Sequence, residues 1–271
     1  MRLRKLAANV LCCFVPGKKL RHKIREAAYP FALAPEQRLA LIKKHFPDLN
    51  IKRNREIRGA VNNVVVVNES HCFRFVYNRE WGGHLGKLPM LVAVAAFMRV
   101  RLGLPAPNLE IVEDSRFVPY LKYKYFRGEF LCHFIRTPEW PKKRRRVARS
   151  MARLLQICSS VKRAELEGWF SSLPGGDKIA AMLFGALKDD PHCRYALWNY
   201  DPMNLIIDPD TCEITGLIDL DSMGWMPIRV SLGSLNQYAF FYPLVLEEYK
   251  RLTGIEIMPI PPIGVPVVFE L

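Results

Sequence analysis

Apolar runs long enough to cross a bilayer are missing from this 271-residue chain. The mostly apolar stretch Leu6 to Pro16 is about 11 residues, against the roughly 20 that a membrane-spanning helix needs. No two of the seven cysteines (Cys12, Cys13, Cys72, Cys132, Cys158, Cys193, Cys212) form a C-x-x-C pair, and none has metal-ligand spacing. That excludes a zinc framework and reads as reduced thiols in a cytosolic protein. There is no internal repeat and no Gly/Ser linker. Acid is scarce: 26 Asp and Glu stand against 40 Lys and Arg, a formal net charge of +14. Such an excess favours an anionic partner, whether nucleotide, membrane surface, phosphorylated glycan or nucleic acid. Half of the residues are hydrophobic and 24% charged, the profile of a folded chain long enough to bury a sizeable core in one large domain or two lobes.

The shortage of acid is uneven. Met1 to Arg25 carries eight Lys/Arg and no acid. Leu3, Leu6, Ala7, Val10, Leu11 and Phe14 share one helical face. Basic residues flank the apolar run on both sides and no small-residue cleavage site follows, which argues against a secretory signal. Two readings stand: a helix lying in an anionic membrane interface, or one packed on the protein's own core. The segment resembles leader segments of bacterial surface-glycan assembly enzymes. A second cluster, Lys142 to Arg146, opens a helix whose Val147, Met151, Leu154, Leu155 and Cys158 share a face. With no interleaved aromatics, RNA-binding signature or zinc pattern beside it, nucleic acid is set aside, and the cluster reads as the solvated start of a core helix.

The chemistry concentrates between Leu197 and Asp221. Leu205 to Ile207 and Leu217 to Ile218 are short apolar runs on either side of Pro209, Asp210 and Thr211, the pattern of a β-hairpin. Asn204 enters the first strand and Asp219 leaves the second, so a hairpin brings an amide oxygen and a carboxylate to one end. Two such oxygens suit a hard cation such as Mg²⁺ carrying nucleotide phosphates. Asp221, two positions on, is either a further metal-side acid or a solvated turn residue.

This block resembles the aminoglycoside phosphotransferase and choline kinase group, whose catalytic loop has the form His-x-Asp-x-x-x-x-Asn, followed by a hairpin and Ile-Asp. Asn204 falls on the motif's Asn and Asp219 on its metal-binding Asp. Leu197 then takes the His position and Asn199 that of the catalytic Asp; Asp201 is the nearest carboxylate. An amide does not accept a hydroxyl proton as a carboxylate does, yet phosphoryl transfer rests mostly on positioning and charge neutralisation.

The resemblance implies an α+β, bilobal protein-kinase-like fold with a small β-rich N-terminal lobe and a larger helical C-terminal lobe. Its parts are a basic leader and helix (1–50), a nucleotide-binding lobe (51–127) and a helical lobe carrying the catalytic hairpin (128–271). Helices are expected over Pro35 to Phe46, Leu88 to Leu102, Ala180 to Leu187 and Leu235 to Thr253, with an extended Pro-rich tail over Pro259 to Pro266. Strands are expected over Val64 to Val67, Cys72 to Tyr77, Leu109 to Val112 and from Phe117. The turn from Gly59 to Asn63 offers backbone N–H groups to phosphate, or is a plain hairpin turn.

Site residues follow from the same resemblance. Arg74 takes the place of the strand cation that contacts nucleotide phosphate. The helix Glu that orients this cation in the group has no counterpart within the helix, since no Asp or Glu lies between Glu80 and Glu110, so either that partner is lacking or Glu80 supplies it from outside the helix. Ser231 stands where the group has an Asp that braces the catalytic loop. The implied activity is an ATP- or GTP-dependent phosphotransferase using Mg²⁺. Its acceptor is a hydroxyl of a small molecule or of a lipopolysaccharide-type surface glycan intermediate, oriented by Asp201 or Asn199. The alternatives are a catalytically inactive binding module of the same fold and a basic membrane-peripheral or nucleic-acid adaptor. The expected place is the cytoplasm, with peripheral contact to an anionic membrane through residues 1–25.

Overall fold

The computed structural model describes residues 33–58, 62–76, 88–114, 117–184, 195–197, 201–220, 224–232, 235, 238 and 240–257. The basic leader, the turn residue Gly59, Glu80, Asn199, Asp221 and the Pro-rich tail lie outside them. The chain forms two compact units, one drawn from Met1–Gly86 and Glu110–Tyr125, the other from Lys87–Leu109 and Phe126–Leu271.

The first unit is a five-stranded antiparallel sheet with one helix on it. Helix α1 (Pro35–His45) starts at a proline, which needs no intrahelical partner there, and Gln37 reaches back to accept from the Ala34 N–H at 2.9 Å. Strands β1 (Asn54–Arg58), β2 (Asn62–Val67), β3 (His71–Val76), β4 (Glu110–Asp114) and β5 (Phe117–Lys124) lie in the order β1-β2-β3-β5-β4. Between β2 and β3 the turn residues Asn68 and Glu69 both take left-handed backbone, φ 53° and 50°, the geometry that matches the twist of a tight hairpin. The pairing sets Val65 against Phe73 and Val64 against Arg74. Because side chains alternate along a strand, Val65, Val67, Phe73 and Phe75 share a face, where they pack with Val112, Tyr120 and Leu41 and Ile42 of α1. Arg38 of α1, 3% exposed, is held by both carboxylate oxygens of Glu56 at 3.0 and 2.9 Å, which fixes the helix across β1.

In the second unit the long helix α4 (Trp140–Ser160) is the spine. Its face of Val147, Met151, Leu154, Leu155 and Cys158 is buried as its spacing requires. Ahead of it come α2 (Leu88–Val100), β6 (Glu129–Phe130) and α3 (Leu131–Phe134). After it come α5 (Arg163–Ser171), α6 (Gly176–Phe184), β7 (Tyr195–Leu197), β8 (Leu205–Ile207), β9 (Ile214–Leu217), β10 (Trp225–Pro227), α7 (Ile228–Ser231) and α8 (Tyr242–Thr253). Strands β6, β8 and β9 form a small antiparallel sheet and β10 pairs with β7.

Two details differ from the sequence expectations. Helix α2 and the loop to Leu109 group with the helical unit rather than with the sheet. Eight of its residues are buried, and Trp169 of α5 donates to the Ala93 carbonyl at 3.2 Å while meeting Phe97 edge-on. The closing helix starts at Tyr242, not Leu235. Pro243 favours a first-turn position, where its missing N–H costs nothing.

Candidate functional site

The hairpin forms as its composition requires. Leu205 pairs with Leu217 and Ile206 with Gly216, with an irregularity between Ile206 and Ile207. Its turn is closed by Asp208, whose carboxylate accepts from the Asp210 and Thr211 N–H groups at 2.8 and 2.9 Å. The backbone N–H donors of Thr211 and Asp210 hold the Asp208 carboxyl below the usual carboxylate range.

Helix α4 grips this hairpin. Ser150 donates to Glu213 at 3.0 Å and accepts from the Ile214 N–H at 3.1 Å. Lys143 donates to the Pro209 carbonyl at 2.8 Å. Arg153 pairs with Glu213, while Arg145 and Arg149 pair with Glu247 and Glu248 of α8. Much of the basic face from Lys143 onward is thus spent on internal docking, which the sequence reading as a solvated helix start did not foresee.

The open end of the hairpin is organised by Asp201. Its carboxylate accepts from the Met203 N–H at 2.9 Å and its carbonyl from the Asn204 N–H at 2.8 Å, forming a 3₁₀ turn over Pro202–Asn204. The Asn204 carbonyl then accepts from Ile218 N–H at 2.9 Å, and Leu217 N–H reaches the Pro105 carbonyl at 3.0 Å. Asn204 and Ile218 are therefore a bonded pair, and Asp219 is the next residue. Asn204 is 9% exposed. Asp219 is exposed and sits in left-handed backbone, φ 55°, a conformation Asp adopts more readily than most residues.

Other groups face the same end. Burial pushes the Tyr238 phenol up to about 12, the nearby Asp201 charge adds to the shift, and Arg136 opposes it. Burial also raises the Cys132 thiol. Tyr238 and Cys132, neither of which the sequence singled out, thus lie within electrostatic reach of Asp201. The positions expected for conserved-type chemistry are filled otherwise: Leu197 is a fully buried strand residue paired with Trp225. Ser231 is 1% exposed, with no hydrogen-bond partner for its hydroxyl among the described residues.

In the first unit, Arg74 is 8% exposed on the face of β3 opposite α1. Asn63 alternates to the other face and is a residue of β2 rather than of the turn before it. Asn62 is the residue that shares Arg74's face. With its amide oxygen turned toward β3, it accepts from Arg74 Nε at 3.0 Å and from Nη2. The sequence contained the signal: once the hairpin closes at Asn68 and Glu69, the alternation of two neighbouring strands places Asn62 diagonally beside Arg74.

No protein-family model and no curated protein matches this sequence. Solved structures do. The GDP complex of wild-type aminoglycoside 2'-phosphotransferase-IIIa superposes with a TM-score of 0.59 at 16% identity, over 78% of this chain and 81% of that one. Aminoglycoside-3'-phosphotransferase of type VIII gives 0.55 at 19% identity, over 82% and 93%. The fold is that of the aminoglycoside phosphotransferases. A ternary complex of streptomycin, ATP and APH(2")-IIa gives 0.52 at 12% identity, over 80% and 82%. The chain thus has the protein-kinase-like α+β fold expected from the block around Asn204 and Asp219, with a β-rich N-terminal unit and a helical C-terminal one. Among the described residues, no helix is long and apolar enough to cross a membrane, and no three His, Cys, Asp or Glu side chains cluster as a metal site.

Proposed function

We propose that this chain is a nucleotide-dependent phosphotransferase that moves the terminal phosphoryl group of ATP or GTP to a hydroxyl acceptor. The observation that carries the reading is the hairpin mouth. In a fold shared with proteins solved bound to GDP and ATP, the Asn204 carbonyl accepts from the N–H of Ile218, the residue before Asp219, which brings the amide residue and the carboxylate residue to one end of the hairpin. Asn204 and Asp219, with Asp221, would hold Mg²⁺. An amide and one or two carboxylates suit that ion, which keeps several waters and takes its remaining ligands from phosphate. Bound there, the ion would neutralise developing charge on the phosphates.

The chain's own residues supply the rest. Arg74, with a fixed fork of N–H donors, suits phosphate oxygens. At Asp201 one carboxylate oxygen is occupied by the Met203 N–H, and the second is suited to orient an acceptor hydroxyl. Asn199 is the other residue assigned to that role. The Tyr238 phenol stays protonated near neutral pH and is suited to donate a hydrogen bond to the acceptor. The acceptor class proposed is a small molecule or a lipopolysaccharide-type glycan intermediate, reached from the cytoplasm with the basic segment 1–25 against an anionic membrane. Gly59, on the expected phosphate-side turn, completes the nucleotide contacts.

A second reading, a nucleotide-binding module without transfer, is favoured by Leu197 and Ser231, which put a core leucine and an unpaired hydroxyl where the resembled kinases keep His and Asp. Thermal unfolding with ATP or GTP and Mg²⁺, followed by a turnover assay, tests both. Stabilisation with turnover that falls in Asp201→Ala supports the phosphotransferase. Stabilisation without turnover supports the module, and no stabilisation removes both.

A further inference from the structure

Arg74 poses a physical problem that the proposed function leaves open. A guanidinium that is 8% exposed must be held by hydrogen bonds or it destabilises the fold. A phosphate-binding cation must also keep one heading. Helix α2 contains no acid. What the structure does supply is Asn62, itself 8% exposed, on the neighbouring strand.

The geometry is specific. Val64 is the direct partner of Arg74 and Val76 that of Asn62, so Asn62 and Arg74 are diagonal neighbours on one face of the β2–β3 pair. With the Asn62 amide oxygen turned toward β3, it meets Nε at 3.0 Å and Nη2 beside it. Two contacts on one edge of a planar group fix both its plane and its direction. The face around it is apolar: Val66, Cys72 and Leu121 are 1%, 5% and 2% exposed. Arg74 lies inside β3, and Asn62 opens β2 in the end pair of the ladder between the two strands.

We propose that Asn62 is a positioning residue for nucleotide binding: its amide sets the orientation of the Arg74 guanidinium toward the phosphates of a nucleoside triphosphate. The proposal rests on the phosphotransferase reading. It places this support on a strand neighbour inside the same sheet.

The test compares triphosphate with nucleoside on the full chain. Binding of ATP or GTP with Mg²⁺, and of adenosine or guanosine, is measured for wild type, Asn62→Leu, Asn62→Ser and Asn62→Asp, with folding checked by circular dichroism. Leucine cannot accept, serine cannot reach, and aspartate offers an acceptor at the same reach. The expected result is an about tenfold weaker triphosphate affinity in the Leu and Ser variants, unchanged nucleoside affinity, and recovery in the Asp variant. Unchanged triphosphate affinity in both variants overturns the role, as does an equal loss for triphosphate and nucleoside, which marks a merely structural amide. A wild-type chain that binds neither overturns the phosphotransferase reading itself, and the positioning role with it.

Discussion

Gly128 sits where the segment after β5 enters β6, and it is the tightest test of how that segment is held against the β8–β9 hairpin. Its φ is +132°, a region other residues rarely adopt, and a Cβ built on it would stand 2.3 Å from the Ile207 carbonyl oxygen and 2.9 Å from Ile206 Cγ2. Real Cβ atoms do not come that close to a carbonyl, so Gly128→Ala must push β6 away from β8 by about an ångström, at an overpacking cost of about 1–3 kcal/mol. The backbone conformation adds about 1–2 kcal/mol. The control is Gly103→Ala, where φ is +65° and nothing lies within 4 Å, so only the backbone cost applies. For a chain of this size each kcal/mol lowers Tm by about 2–4 °C. Thermal unfolding should therefore place Gly128→Ala below wild type by roughly 4–20 °C, with Gly103→Ala losing only the smaller part of that. Equal losses in the two variants would refute the claim that β6 is packed hard on the hairpin.

Three further predictions concern buried polar and thiol groups, Ser150, Glu248 and Cys72. Ser150→Ala should cost about 1–3 kcal/mol, because Ile214 N–H and the Glu213 carboxylate both lose a partner at a site where Ser150 is 4% exposed; urea denaturation reads it. Glu248 is nearly buried, which alone would raise its carboxyl, but hydrogen bonds from Arg149 and Arg251 outweigh this and hold it below the ordinary value of 4.5. Its folded-state value is lowered, so its contribution to stability is present above about pH 4.5 and disappears as the pH falls through the lowered value. The stability gap between wild type and Glu248→Gln should accordingly be widest near neutral pH and close on acidification, as measured by denaturation at a series of pH values. The Cys72 thiol, raised to about 12 chiefly by burial, should resist alkylation in the folded chain at pH 8 and react fully once unfolded, read by mass spectrometry.

Much of the fold was legible because its signals are local. The β-branched run before Val67 and the alternation around Phe73 gave strands, and the spacing of Val147, Met151, Leu155 and Cys158 gave a core helix. The apolar runs around Pro209 gave the hairpin. What was not legible depends on partners distant in sequence. The basic cluster from Lys142 reads as a solvated run, yet Lys143 ends on the Pro209 carbonyl and Arg145 on Glu247. Strand parity, which depends on the pairing of β2 with β3, puts Asn63 on the α1 face and Asn62 beside Arg74. Tyr238 carries no motif; it is marked only by its burial and the charge of Asp201.

The most direct test of the central claim is a calorimetric titration of wild type and Asp219→Ala with nucleoside triphosphate, each with Mg²⁺ and with EDTA. If Asn204 and Asp219 share a metal that carries the phosphates, Mg²⁺ should tighten binding to wild type by at least tenfold and leave Asp219→Ala unchanged. The same magnesium dependence in both proteins would contradict it.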